Sequence, residues 1–192
     1  MTNTNPHHAV DRPSGWVARF APLIPHGEVL DLACGSGRHA RLLAALGQAV
    51  LAVDRDAGAL AEAAGPQIST LQLDLESGTA WPFEASRFTG IVVTNYLHRP
   101  LFPSILGSLA PGGVLIYETF AQGNGHFGKP SSPDFLLEPG ELLKMAGPNA
   151  SDAVRVIAYE DGYTDQPKAA MVQRICAMKA DSTISPDRLR LI

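Results

Sequence analysis

The sequence predicts an α/β fold, with a mostly parallel sheet covered by helices on both faces and closed by a C-terminal antiparallel hairpin. From Val29 to Glu118, short apolar runs bounded by Gly or Pro alternate with stretches rich in Ala, Leu and Arg. Strands that alternate with helices pair in parallel through right-handed crossovers. Further on, Val154 to Tyr159 and Met171 to Met178 are joined only by the turn-rich segment Glu160 to Lys168. So brief a connection suits a hairpin rather than a crossover.

Each element follows from local composition. Residues 1–12 are polar and are expected to form a flexible tail, with one domain over 13–180 and a second tail over 181–192. Trp16, Val17, Phe20 and Leu23 mark a short amphipathic helix ending near Pro25. Val29 to Cys34 reads as a buried strand, and Arg38 to Leu46 as a helix of strong formers stopped by Gly47. Ala49 to Val53 is the second strand, and Ala57 to Ala64 a helix ended by Gly65-Pro66. Thr70 to Leu73 and Gly90 to Thr94 are strands three and four. Leu101 to Leu109 is a helix stopped by Ala110-Pro111-Gly112-Gly113, and Val114 to Glu118 is strand five. Phe120 to Asp134 is rich in Gly, Pro, Ser and Asn, as expected of a lid, a binding loop or a disordered segment. Leu136 to Ala146 is the last predicted helix.

Bulk properties narrow the function. The chain has 192 residues, enough for one domain with its own core. A formal net charge of -4 argues against a protein that grips nucleic acid mainly through phosphates. No run reaches the roughly 18 apolar residues of a membrane span. The first ten residues lack a signal-peptide core, so a cytoplasmic protein is expected. Cys34 and Cys176 lie far apart in apolar runs, which suggests reduced, buried thiols and gives no metal ligand set.

The strongest constellation is Asp31-Leu32-Ala33-Cys34-Gly35-Ser36-Gly37, between a strand and a helix. Glycines there permit a sharp turn and let a ligand approach the backbone, next to the free N–H groups of a helix start. Asp54, in Ala52-Val53-Asp54-Arg55, ends strand two and can accept both hydrogen bonds of a ribose diol. Asp74 ends strand three, where it can accept from an adenine amino group, with Leu75 as an apolar wall. Each acid alone could instead cap the following helix. A dinucleotide site places pyrophosphate on the turn, whereas the Asp31 carboxylate repels phosphate and suits a cation. A sulfonium cofactor with an ammonium group is therefore favoured over NAD(P).

These residues resemble motif I of class I S-adenosylmethionine-dependent methyltransferases, in an acidic variant with Ala33 where glycine is common. Asp54, Asp74, Ile91 to His98 and Leu109 to Leu115 resemble the family's later motifs in order and spacing. The likeness covers residues 28 to 119 and is closest in kind to compact bacterial enzymes of the tellurite-resistance type. It implies a Rossmann-like three-layer sandwich with a seven-stranded sheet, and S-adenosyl-L-methionine as cofactor, released as S-adenosyl-L-homocysteine. It implies donor contacts from Asp31, Ala33, Gly35, Ser36 and Gly37 at the methionine end. Asp54 and Arg55 would lie at the ribose, Asp74 and Leu75 at the adenine, and Asn95, Tyr96 and Leu97 along the donor.

Methyl transfer chiefly needs alignment and exclusion of water, with a base only if the acceptor arrives protonated. His98 is a candidate proton acceptor or a packing residue. Tyr96 either shapes the acceptor pocket or fills core space, and Glu118 is either a base or a structural carboxylate. Arg99 either orients an anionic substrate or is a solvated charge. The segment Asn95 to Arg99 lacks the Asn/Asp-Pro-Pro-Tyr/Phe pattern of enzymes that methylate planar amino groups. The expected acceptor is a small molecule. RNA or protein methylation and a non-catalytic donor-binding module remain as alternatives, and the sequence does not specify the oligomeric state.

Overall fold

A computed structural model describes residues 12–147 and 154–181. The expected tails over 1–12 and 181–192 lie, apart from Arg12 and Asp181, outside the described residues. Helix α1 (Gly15–Phe20) opens the fold, and the Ser14 hydroxyl accepts from Trp16 N–H at 3.1 Å to cap it. Then follow β1 (Glu28–Leu32), α2 (Arg38–Ala45), β2 (Ala49–Asp54), α3 (Ala57–Ala63), β3 (Ile68–Gln72) and β4 (Phe88–Thr94). Next come α4 (Phe102–Ser108), β5 (Leu109–Phe120), α5 (Glu141–Met145), β6 (Val154–Thr164) and β7 (Ala170–Lys179). The seven strands form one sheet in the order β3-β2-β1-β4-β5-β7-β6. The first five are parallel, and β7 runs antiparallel to both β5 and β6.

Strand periodicity divides the core into two layers. On one face Trp16, Phe20, Leu43, Leu60 and Ala63 from α1 to α3 pack on Val29, Val50, Ala52, Val92 and Ile116. On the other, Phe102, Ile105 and Leu142 pack on Leu30, Leu32, Val53, Ile91 and Tyr117. Each Val, Leu, Ile or Phe among them contributes roughly 1.5–3 kcal/mol when fully buried. The crossover from β3 to β4 contains no helix; Trp81 and Phe83 cover the sheet instead, their rings 5.0 Å apart. Cys34 and Cys176 are both buried free thiols.

Several boundaries differ from expectation. The hairpin is longer, because Glu160–Thr164 continues β6 through pairs such as Glu160↔Arg174 and Thr164↔Ala170. β6 is an edge strand, where polar side chains stay solvated, so Glu160 and Asp161 mimic a turn in composition. Strand β5 begins at Leu109, which pairs with Phe88 across a register shift, so the Pro-Gly-Gly segment lies inside the strand. The predicted helix over Leu136 to Ala146 is helical only from Glu141. Leu137 instead makes a parallel bridge with Ala121, and Pro139 disfavours helical backbone at the preceding residue. The segment expected to be a loop, 120–134, begins on β5 and contains a 3-10 turn at Asn124–His126; a second spans Pro133–Phe135.

Candidate functional site

The C-terminal ends of the parallel strands converge on a cavity of about 450 Å³. Ala33 follows β1, Asp54 and Arg55 end β2, and Leu73, Asp74, Leu75 and Glu76 follow β3. Asn95, Tyr96 and Leu97 follow β4, Thr119 and Phe120 end β5, and Pro130 and Phe135 reach over from the 120–137 segment. This is the crevice outside the carboxyl ends of an open α/β sheet, where ligands of such folds bind.

The turn 33–37 is built around two glycines with different duties. Gly35 has φ +54, and a Cβ there would meet nothing within 4 Å, so the turn leaves open space above it. Its N–H donates to Asp54 Oδ2 at 2.8 Å. Gly37 has φ +79, and a Cβ there would lie 2.5 Å from the Ala63 Cβ, so this glycine lets α2 and α3 touch. Asp54 does not cap the next helix. That task falls to Asp56, whose Oδ1 accepts from Gly58 and Ala59 N–H at 2.8 and 3.1 Å. Asp54 therefore presents its carboxylate to the cavity with one oxygen bound to Gly35 and the other to Asp56 N–H at 3.0 Å. Asp74 shapes its own turn, its Oδ1 accepting from Glu76 N–H at 2.9 Å.

Asp31, Gly35, Ser36 and Gly37 lie outside the cavity lining. Asp31 is 1% exposed beneath the turn, and its Oδ2 is a buried oxygen with no hydrogen-bond partner among the described residues. Burial raises its pKa from 3.8 to about 7, with the Asp54 charge adding to the rise; the Ala40 N–H and Arg38 oppose it. His39 was not singled out from sequence and is equally buried. Its Nε2 accepts from Ser14 N–H at 3.0 Å, so the neutral ring carries its proton on Nδ1, 3.3 Å from Thr94 Oγ1. Burial, reinforced by Arg38, lowers its pKa to about 3. It ties the leading helix to the end of β4.

Of the candidate catalytic residues, only Tyr96 lines the cavity. Burial raises its pKa, and the Glu76 carboxylate beside its hydroxyl raises it further. His98 is half-buried, precedes the 3-10 turn Arg99–Leu101 and is not part of the lining. Glu118 is 8% exposed and forms an ion pair with Arg174 at 2.5 Å, and Arg174 also reaches Glu160 at 3.1 Å. Arg99 is neither a free cation nor aimed at the cavity; its guanidinium holds Glu141 and two backbone carbonyls. Sequence reasoning missed Leu73, Glu76, Pro130 and Phe135. The first two adjoin the Asp74-Leu75 pair and were within reach of a local reading. Pro130 and Phe135 arrive through long-range chain folding that no local pattern encodes.

Residues 29–113 match the family described as a methyltransferase domain. The chain is 42% identical over 98 residues to a protein-L-isoaspartate O-methyltransferase of Chlorobaculum tepidum, covering 48% of this chain and 45% of that protein. It is 36% identical over 144 residues to a trans-aconitate 2-methyltransferase of Methylobacterium nodulans, covering 71% of this chain and 50% of that protein. The chain thus spans about half the length of the curated relatives it matches. Among solved structures, an S-adenosylmethionine-dependent methyltransferase from Mesorhizobium loti superposes with a TM-score of 0.64 at 18% identity. That superposition covers 84% of this chain and 97% of the other, and shows the shared fold.

Proposed function

We propose, for a chain that is a class I S-adenosylmethionine-dependent methyltransferase in its fold and in the domain over residues 29–113, that it methylates a small molecule held against Tyr96, Phe120, Pro130 and Phe135. The observation that carries this reading is the Asp54 carboxylate in the cavity wall, relieved of helix capping by Asp56 and set beside the open turn at Gly35. The residues present fit the donor. A ribose diol can donate to Asp54, an adenine amino group can donate to Asp74, and Leu73 and Leu75 supply apolar walls. The orphan oxygen of Asp31 and the open turn favour a cationic methionine end.

When bound, S-adenosylmethionine supplies a methyl carbon already activated by its sulfonium. The chain's own residues then orient the acceptor and exclude water. Phe120 at the end of β5 joins Pro130 and Phe135 in an apolar wall, and the Tyr96 hydroxyl, beside Glu76, is the polar group that orients the acceptor. Glu118 is assigned a structural role, because its charge is neutralised by Arg174. His98 would take part only if acceptor binding draws it toward the cavity rim.

The two curated relatives carry names with different acceptors, a protein isoaspartate and trans-aconitate. The concave, partly apolar cavity favours a small molecule over a folded surface. Methyl-labelled donor incubated with the protein and a cell extract, then separated by dialysis, tests this. Label in the dialysable fraction is expected. Label confined to protein or RNA would contradict the acceptor class, and no label despite donor binding would point to a binding module.

A further inference from the structure

Arg99 lies two residues beyond Leu97, the last of the residues after β4 that line the cavity, yet its guanidinium faces the 134–141 region. Its Nη1 donates to the Asp134 carbonyl at 3.0 Å and its Nη2 to the Leu136 carbonyl at 2.9 Å, the two carbonyls that flank Phe135. The fork is fixed by Glu141, whose Oε1 and Oε2 accept from Nε and Nη2 at 2.6 and 2.9 Å. Glu141 Oε2 also accepts from Glu138 N–H at 2.8 Å, which ties the same clamp to the start of α5. Glu141 is partly buried, which by itself raises its pKa, but the Arg99 hydrogen bonds bring it below the usual value.

Apolar packing alone does little to hold Phe135. Phe135 is 52% exposed as a residue, whereas its neighbours Leu136 and Leu137 are 6% and 0% exposed. Phe135 nonetheless lines the cavity together with Pro130. The far end of this segment is fastened separately. Asn124 Nδ2 donates to the Pro130 carbonyl at 2.9 Å, and its Oδ1 accepts from Met171 N–H at 3.2 Å. Arg99 makes four bonds, two of them a bidentate pair to both Glu141 oxygens; a lysine ammonium has three donors and no planar fork, so it cannot reproduce the set.

We propose that Arg99 is the positioning residue of the acceptor wall, gripping the carbonyls on both sides of Phe135 and thereby setting that ring against the cavity. This rests on the acceptor reading of the site given above. Arg99 touches neither donor nor acceptor and acts through Phe135.

The test places an indole at the wall by Phe135→Trp and reads its emission, after subtraction of the parent protein, in the presence of Arg99, Arg99→Lys or Arg99→Ala. With Arg99 intact, S-adenosylhomocysteine should shift the emission and shield the indole from acrylamide. In Arg99→Lys and Arg99→Ala that shielding should be lost, while calorimetric affinity for S-adenosylhomocysteine stays close to that of Phe135→Trp alone. Glu141→Gln, which weakens the fork without removing it, should give an intermediate loss and serves if Arg99→Ala does not fold. Equal shielding with and without Arg99 overturns the proposal, as does an indole indifferent to the ligand when Arg99 is intact. If S-adenosylhomocysteine binds to none of the variants, the donor reading falls instead. Acrylamide quenching without ligand then still decides the clamp, which is overturned if quenching is the same with arginine and lysine.

Discussion

Asp31 and His39 are two buried titratable side chains beneath the glycine turn, and their linkages to pH run in opposite directions. Asp31 holds its proton to about pH 7 in the fold against 3.8 ordinarily. The folded chain therefore binds the extra proton across that window, and stability is lost as pH rises through it. His39 titrates near 3 in the fold against 6.5 ordinarily, so the unfolded chain binds the extra proton and stability is lost as pH falls from 6.5 toward 3. In the parent protein the two slopes offset each other between about pH 4 and 6.5. Melting temperature followed over that range should rise with pH more steeply in Asp31→Asn than in the parent, and should fall in His39→Gln. Parallel profiles for all three would contradict the buried-charge account. The two glycines separate in the same manner. Gly37→Ala drives a methyl into Ala63 at positive φ and should cost about 2 kcal/mol or more of stability. Gly35→Ala meets no protein atom, so its chief effect should be weaker binding of S-adenosylhomocysteine with a smaller loss in melting temperature. A larger stability loss at Gly35 than at Gly37 would refute that division.

At the level of elements, the closing hairpin is held by a row of charges that crosses three strands. Glu118 on β5, Arg174 on β7 and Glu160 on β6 stand opposite one another in register. Arg174→Met leaves the Glu118 carboxylate buried and unpaired and should destabilise by about 3 kcal/mol, with donor affinity unchanged. A stable Arg174→Met protein that loses affinity would instead argue for Glu118 in the site. The sequence read as it did because β1, α2, β2 and α3 carry their period and their stops locally: apolar runs, strong helix formers and glycine ends. β6 was read short because an edge strand tolerates Glu160, Asp161 and Gly162, which look like a turn. α5 was read long because Leu136 and Leu137 look helical in composition, although Leu137 pairs with Ala121 and Pro139 delays the helix.

For the whole molecule, the fold order β3-β2-β1-β4-β5-β7-β6 brings five strand ends to one edge, and the site is a consequence of that edge. Its strand-end half was legible in sequence, since Ala33, Asp54, Asp74, Leu75 and Asn95 each follow a readable strand. Its other half was not, because Phe135 and Pro130 are carried in by a segment anchored through Arg99, Asn124 and the Ala121–Leu137 bridge. Among the described residues no helix is long and apolar enough to cross a membrane. The central claim is that the strand-end carboxylates and the glycine turn cradle a sulfonium-bearing adenosyl donor. Calorimetric titration of S-adenosylhomocysteine into the parent protein and Asp54→Ala tests it most directly. Binding to the parent and a loss of about 1.5–3 kcal/mol in the variant are predicted. Equal affinity in both proteins, or no binding to the parent, would contradict it.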